Sequence, residues 1–477
     1  ESKFYKPTLV ALMLLLLFGV SRAQRELNRS RDTLGLTKIT PLENAPPVLA
    51  FTTVALGGFR GLIANVLWIR ADELQQEDKH FEMVQLADWI TKLEPHFVQV
   101  WTVQAWNMAY NISVKFPAPE DRWRWVRRGI ELLRDDGIRF NPDETLLYRE
   151  LSWFFQHKIG QNLDDAHKYY KSEWFREMDT LFGGKPNFEE LLNPKTDQQK
   201  QRVKVLRETY KMDPQIMREV DQNYGPLEWR LPDAHAIYWA DVGRRRGKPE
   251  DQNTLYRSIY QTMQMSFERG ALDENKFGPP ALRPNLDAVT NVNKAYEELL
   301  KSNDPTLKDQ PRTGHKNFLK KVPYYLYLYN RQREAQYWFD YLKSKYPEAV
   351  PATLSLDDYA VQNVTEITSE TDANKTAAAI NGLLVQACLA LIQDEDDRAV
   401  NYERLATKVY TTFSAKVAGA EIRVGLPPLA DMKASVIKNL LDPKMGLGPE
   451  AAARLRTKLN LPGEAEAKPP ATPATKP

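Results

Sequence analysis

One cysteine, Cys388, stands in a chain of 477 residues, which excludes an intrachain disulfide; its place in the run INGLLVQACLALI makes it a small buried apolar residue. Histidine is scarce as well, at six residues, and there is no HExxH, no cysteine pair, no glycine-rich phosphate loop and no GxSxG elbow. His157, Asp164 and His167 come nearest to a ligand set, but Gly160 breaks the helical pattern between the histidines and no third ligand has a fixed spacing. No metal, cofactor or catalytic residue is therefore expected. Charge of one sign is lacking too: 65 basic and 63 acidic residues leave a net +2, which gives no global attraction to nucleic acid. Acidic pairs such as Asp135-Asp136 and Asp164-Asp165 are ordinary helix-end features and carry no specific signal for carboxylate catalysis.

What the chain does have is repetition. From Ala64, side chains fall at Leu67, Ala71 and Leu74, then at Met83, Ala87 and Ile90, and Pro95 closes the unit. Trp101, Ala105 and Met108 then take the places of Leu67, Ala71 and Leu74, and after Pro142 so do Tyr148, Ser152 and Phe155. Both aromatics follow their proline by six residues. Such large, small and large positions share one helix face, so each helix presents a notch to a partner. This resembles the tetratricopeptide repeat (TPR), a 34-residue helical hairpin stacked into arrays. The resemblance implies an all-α, TPR-like helical-hairpin solenoid.

The N-terminus adds a membrane signal. Lys3 and Lys6 precede the apolar run LVALMLLLLFGV, Leu9 to Val20, and Ser21-Arg22-Ala23 follows. Residues 1–23 are expected to form a signal-anchor helix, with 24–46 as a connector. The arginines that follow the run favour a cytoplasmic soluble part, whereas the signal-like order of charged flank, short apolar core and cleavage-like site favours the extracytoplasmic side, which is the side adopted. A second apolar stretch runs from Pro47 to Leu74, and in it Phe59, Arg60 and Trp68 are candidates for docking on a membrane or a membrane partner. Capping of the solenoid is the alternative.

The strings GGFRGLIANVLWIRADEL, DWITKLEPHF and QAWNMAYN resemble a bacterial family of membrane-anchored TPR-like proteins, most densely over residues 40–180. That resemblance implies the bacterial inner membrane as location, and a protein partner such as an ABC-type transporter or pilus-assembly component.

The rest of the chain divides into TPR-like repeats over 47–182, a helical insertion over 183–231, further repeats with a proline-rich connector over 232–350, a C-terminal helical region over 351–462 and a disordered tail over 463–477. Two aromatic clusters are candidate contact surfaces: Trp123, Arg124, Trp125, Arg127 and Arg128, and Tyr324, Tyr325, Tyr327 and Tyr329. Packing is the plainer role for most of them. The expected function is a scaffold for protein–protein interaction within a membrane complex; the alternative is an enzyme or polymer-binding protein working through the groove without a recognisable motif.

Overall fold

Small side chains set the first hairpin. Ala64, Ala71 and Ala87 are all buried, and around them pack Leu67, Trp68, Leu74, Met83, Ile90 and Val100. The computed structural model describes residues 5–33, 60–248, 252–273, 281–301, 309–367, 373–418, 425–444 and 446–461. Phe59, most of the connector and the tail over 463–477 lie outside the described residues.

The chain forms two compact units, Glu1–Ile112 and Ser113–Pro477. The first holds α1 (Tyr5–Thr33), α2 (Arg60–Gln76), α3 (His80–Leu93) and α4 (Val98–Trp106), the last running on into a π-helical turn, Asn107–Ile112. In the second, α5 (Pro119–Glu131) continues through a π-helical turn, Leu132–Gly137, and α6 (Thr145–Trp153) through another, Phe154–Ile159. Next come α7 (His167–Phe182), α8 (Phe188–Leu192), α9 (Asp197–Glu208), α10 (Pro214–Tyr224), α11 (Pro232–Arg246) and α12 (Gln252–Arg269). A two-stranded antiparallel ribbon, β1 (Ala271–Asp273) and β2 (Ala281–Arg283), leads to α13 (Val289–Lys301). Seven helices follow: α14 (Asp309–Leu328), α15 (Gln332–Lys345), α16 (Leu356–Ile367), α17 (Ala373–Ile392), α18 (Asp396–Lys416), α19 (Leu429–Leu440) and α20 (Pro449–Lys458). The protein is all-α apart from that ribbon among the described residues.

The spacing seen in the sequence has a physical counterpart. In the first unit the Trp101 indole N–H donates to the Pro95 carbonyl at 2.9 Å; in the second the Tyr148 hydroxyl donates to the Pro142 carbonyl at 2.7 Å. Two of the three π-helical turns among the described residues begin at the same offset from such a ring, at Asn107 and at Phe154. A stacked pair straddles each of these two turns: Trp106 on Tyr110 at 4.0 Å between centroids, and Trp153 on His157 at 4.5 Å. Four features thus recur 47 residues apart.

Two expectations need correction, and one helix differs from a simple proline rule. The N-terminal helix runs to Thr33, so residues 24–33, taken as connector, belong to it. The proline-rich stretch after α12 contains the ribbon and the whole of α13. Helix α14 starts well before Pro323 and carries that proline inside. Among the described residues one helix is long and apolar enough to cross a membrane, Lys375–Ile392 in α17. Its apolarity has another use: Cys388 and Ile392 form a core cluster with Ala451 and Leu455 of α20, and α18 and α19 pack on the same helix.

Helix α11 is the centre of the second unit, buried from Pro232 through Gly243 and packed on α6, α12 and the π-helical turn Phe154–Ile159. Ser152 fixes its register by donating to the Ala236 carbonyl at 2.8 Å. At Gly243 the approach is close, since a Cβ there would lie 2.4 Å from Cβ of Tyr148 and 3.0 Å from Leu255. Gly243→Ala should therefore destabilise the protein although alanine favours helix by about 1 kcal/mol. Overpacking costs about 1–3 kcal/mol and prevails, so the urea midpoint should fall. A midpoint that stays or rises would mean that α6 and α11 do not meet there.

Candidate functional site

The basic aromatic segment lies on α5, which opens with Pro119 in its first turn and Glu120 and Asp121 beside it, as a helix N-terminus favours. The helix sorts the segment onto two faces. Trp123, Val126 and Ile130 face inward, and Trp123 stacks on Tyr170 at 5.9 Å, so Trp123 is a core residue and not an exposed anchor. Trp125 is half-buried against Phe116. The exposed arginines are answered by acids: Arg124 by Asp121 at 3.0 Å, and Arg127 by Glu177 at 2.6 Å and Glu131 at 3.1 Å. Arg128 reaches Glu131 at 3.9 Å. The segment is an ion-paired helix face with little net field.

The tyrosines of α14, and Tyr329 just after it, are buried or half-buried. Tyr327 is fully buried and donates to Asp357 at 2.7 Å, so it cannot be a contact residue. Tyr325 meets Phe267 edge-on, Tyr324 lies beside it, and burial pushes both hydroxyls up. Tyr329 is covered by the Arg398 guanidinium at 4.1 Å. In the first unit Trp68 is half-buried, 5.8 Å from Phe97, and belongs to the α2/α3 core. Arg60 opens α2, and its side chain lies outside the described set. Exposed on α2 instead are Leu62, Val66 and Ile69, one stripe at helical spacing.

His157, Asp164 and His167 are each engaged by a neighbour. His157 stacks on Trp153, and His167 shares a 2.9 Å hydrogen bond with Lys171. Asp164 is buried and receives Lys158 at 2.6 Å, the Ala166 backbone N–H at 2.9 Å, Tyr170 at 3.2 Å and Arg122 at 3.2 Å. Burial alone would raise the Asp164 carboxyl. The Lys158 and Ala166 hydrogen bonds and the Lys158 charge outweigh it and bring the value down to about 2.

One cavity was not anticipated as a site. Its signal was the helical insertion over 183–231, which forms an arm built from well-capped helices. Asn187 caps α8, Thr196 and Gln199 form a reciprocal capping box on α9, and Asp213 with Pro214 starts α10. The arm is tied back, with Arg230 bridging Glu228 at 2.8 Å and Asp179 of α7 at 3.0 Å, and the Tyr238 hydroxyl accepting the Asp213 N–H at 2.8 Å.

Between α5, α7 and α9 this leaves a cavity of about 650 Å³. Trp123, Leu181, Val205 and Tyr210 give it apolar walls, while Arg127, Glu173, Arg176, Glu177 and Arg202 supply charge. Glu177 is held by Arg127 through one oxygen, whereas its Oε2 is buried without a hydrogen-bond partner. Burial pushes the Glu177 carboxyl up against the pull of Arg127, and burial with the Glu177 charge pushes Tyr210 up to about 12.

Asp164→Asn should strand the Lys158 ammonium, which is 3% exposed, and cost about 3–5 kcal/mol at neutral pH. The pH dependence has a definite sign. A carboxyl lowered from 3.8 to about 2 contributes in full above 3.8 and loses its contribution as pH falls towards 2. Urea unfolding followed across that window should show a slope in the wild type that is reduced in the variant; equal slopes would remove Asp164 from the acid transition.

Compared with known proteins, the chain matches no family model, no curated protein and no solved structure.

Proposed function

We propose that this protein is a membrane-anchored, TPR-like scaffold that holds another protein, as an accessory subunit of a bacterial inner-membrane complex. The observation that carries the proposal is the recurrence, 47 residues apart, of the proline-bonded ring, the π-helical turn and the stacked aromatic pair. A device that recurs along the chain is what a stacked array needs, because each repeat must offer its neighbour the same face. The stacked pairs also supply the amphipathic aromatic area in which binding hot spots are rich. Trp106 is exposed, and Arg124 and Arg128 lie on an exposed helix face.

Support for the anchor comes from α1. Its described side chains Met13, Leu14, Leu15, Leu16, Phe18 and Val20 are all exposed, an apolar surface that water does not stabilise. An ABC-type transporter or pilus-assembly component remains the proposed partner class, with the solenoid on the extracytoplasmic side.

Deletion of residues 1–33, the whole of α1, should move the protein from the membrane to the soluble fraction. Continued sedimentation with membranes would transfer the attachment to the α2 stripe. Pull-down from native membranes in mild detergent tests the scaffold itself. Trp106→Ala and the pair Arg124→Ala with Arg128→Ala should weaken partner capture by about thirtyfold, the effect of losing a hot spot worth about 2 kcal/mol. His167→Ala should leave capture and function intact. Loss of function in that variant with capture unchanged would replace the scaffold by an enzyme.

A further inference from the structure

We infer that the open cavity between α5, α7 and α9 is a binding site for an anionic amphiphile, a small molecule with one acidic group on an acyl or aromatic body. Its volume of about 650 Å³ falls in the range of pockets that enclose small organic ligands, roughly 300–1,000 Å³. The depth is apolar: Trp123, Leu181 and Tyr210 are buried, and Val205 adds an aliphatic wall from the arm. Such walls reward an acyl chain or a flat ring and do nothing for a bare ion.

Charge decides the rest of the ligand. Arg127 is committed to Glu177 and Glu131, and Arg176 is paired with Glu173 at 2.8 Å in an exposed contact that a ligand can exchange. Arg202 is different, since it forms no ion pair among the described residues and lines both this cavity and a smaller one of about 280 Å³ beyond Gly183. Gly183 makes room for it. This glycine ends α7 with φ +67°, and a Cβ there would lie 2.7 Å from the guanidinium. An unpaired, half-buried guanidinium beside an apolar hollow asks for a carboxylate, sulfonate or phosphate. Glu177 asks for a donor, because its Oε2 is buried and unpartnered, and a ligand N–H or O–H satisfies it. The site stands apart from partner capture, since most of its lining belongs to the arm and to α7, and neither Arg124 nor Arg128 lines it.

The test uses the full chain in amphipol, titrated with 1-anilinonaphthalene-8-sulfonate, a probe with an aromatic body, one sulfonate and one N–H. The saturable component of the fluorescence should be lost in Val205→Trp, which fills the cavity, and should weaken at least about tenfold in Arg202→Gln. Gln201→Trp fills the cavity from its exposed rim and serves if Val205→Trp fails a circular-dichroism check. Competition then separates the two sources. Dodecanoate below its micelle concentration displacing the dye assigns an acyl ligand; indole-3-propionate displacing it assigns an aromatic acid. Displacement by dodecylammonium as effective as by dodecanoate overturns the anionic site, as does dye binding that survives both a filling variant and Arg202→Gln, or displacement by neither acid.

Discussion

Two helices lie side by side at short range only where the side chains between them are small. Several helix pairs of this protein meet under that constraint. Ala71 and Ala87 let α2 and α3 close on each other, Ala105 occupies the matching place in α4, and Ser152 with Gly243 does the same for α6 and α11. A large ring stands beside the notch in α4 and in α6, Trp101 and Tyr148, and the polar tip of each is bonded to a backbone carbonyl, so neither is an orphan donor. The small residue sets the distance and the ring sets the angle.

Buried charge serves the same end in the second unit. The turn that joins α6 to α7 has few apolar side chains of its own, and Leu163 within it is exposed. The Lys158–Asp164 pair, with Arg122 and the Tyr170 hydroxyl, holds that turn against α5 and α7. A buried pair of this kind contributes little net free energy against an apolar substitute of like volume, and a great deal against its own half-removal. It specifies one geometry for the turn, and with it the angle at which α7 leaves towards the arm.

Much of the helical outline was legible in advance. Hairpin α2/α3 follows from alanines at helical spacing, α17 and α18 from their apolar periodicity, and α20 from Pro449 with the alanines after it. The all-α class follows from the same pattern. Other elements were hidden for definite reasons. Helix α13 sits in a proline-rich stretch whose prolines flank it, and α14 keeps Pro323 inside because tertiary packing overrides a local penalty. The contact residues were hardest to assign: a tryptophan or tyrosine in a helical pattern reads alike whether it faces core or solvent, and Trp123 and Tyr327 face the core. The cavity depends on where α9 lies across α7, a long-range placement that no window of sequence contains.

The paired π-helical turns have a consequence for how such chains change over time. A π-helical turn carries one residue more than the α-helix it interrupts, and one residue rotates all that follows by about 100°, since 3.6 residues make a turn. Asn107–Ile112 and Phe154–Ile159 carry that surplus at the same place, so each unit stays superposable on the other in sequence while both are one residue out of step with an uninterrupted helix. A single-codon deletion in either turn would leave a better helix and a worse repeat. Lineages of this protein are therefore expected to drift freely in the length of the loops between helices and to hold the length of these two helices fixed.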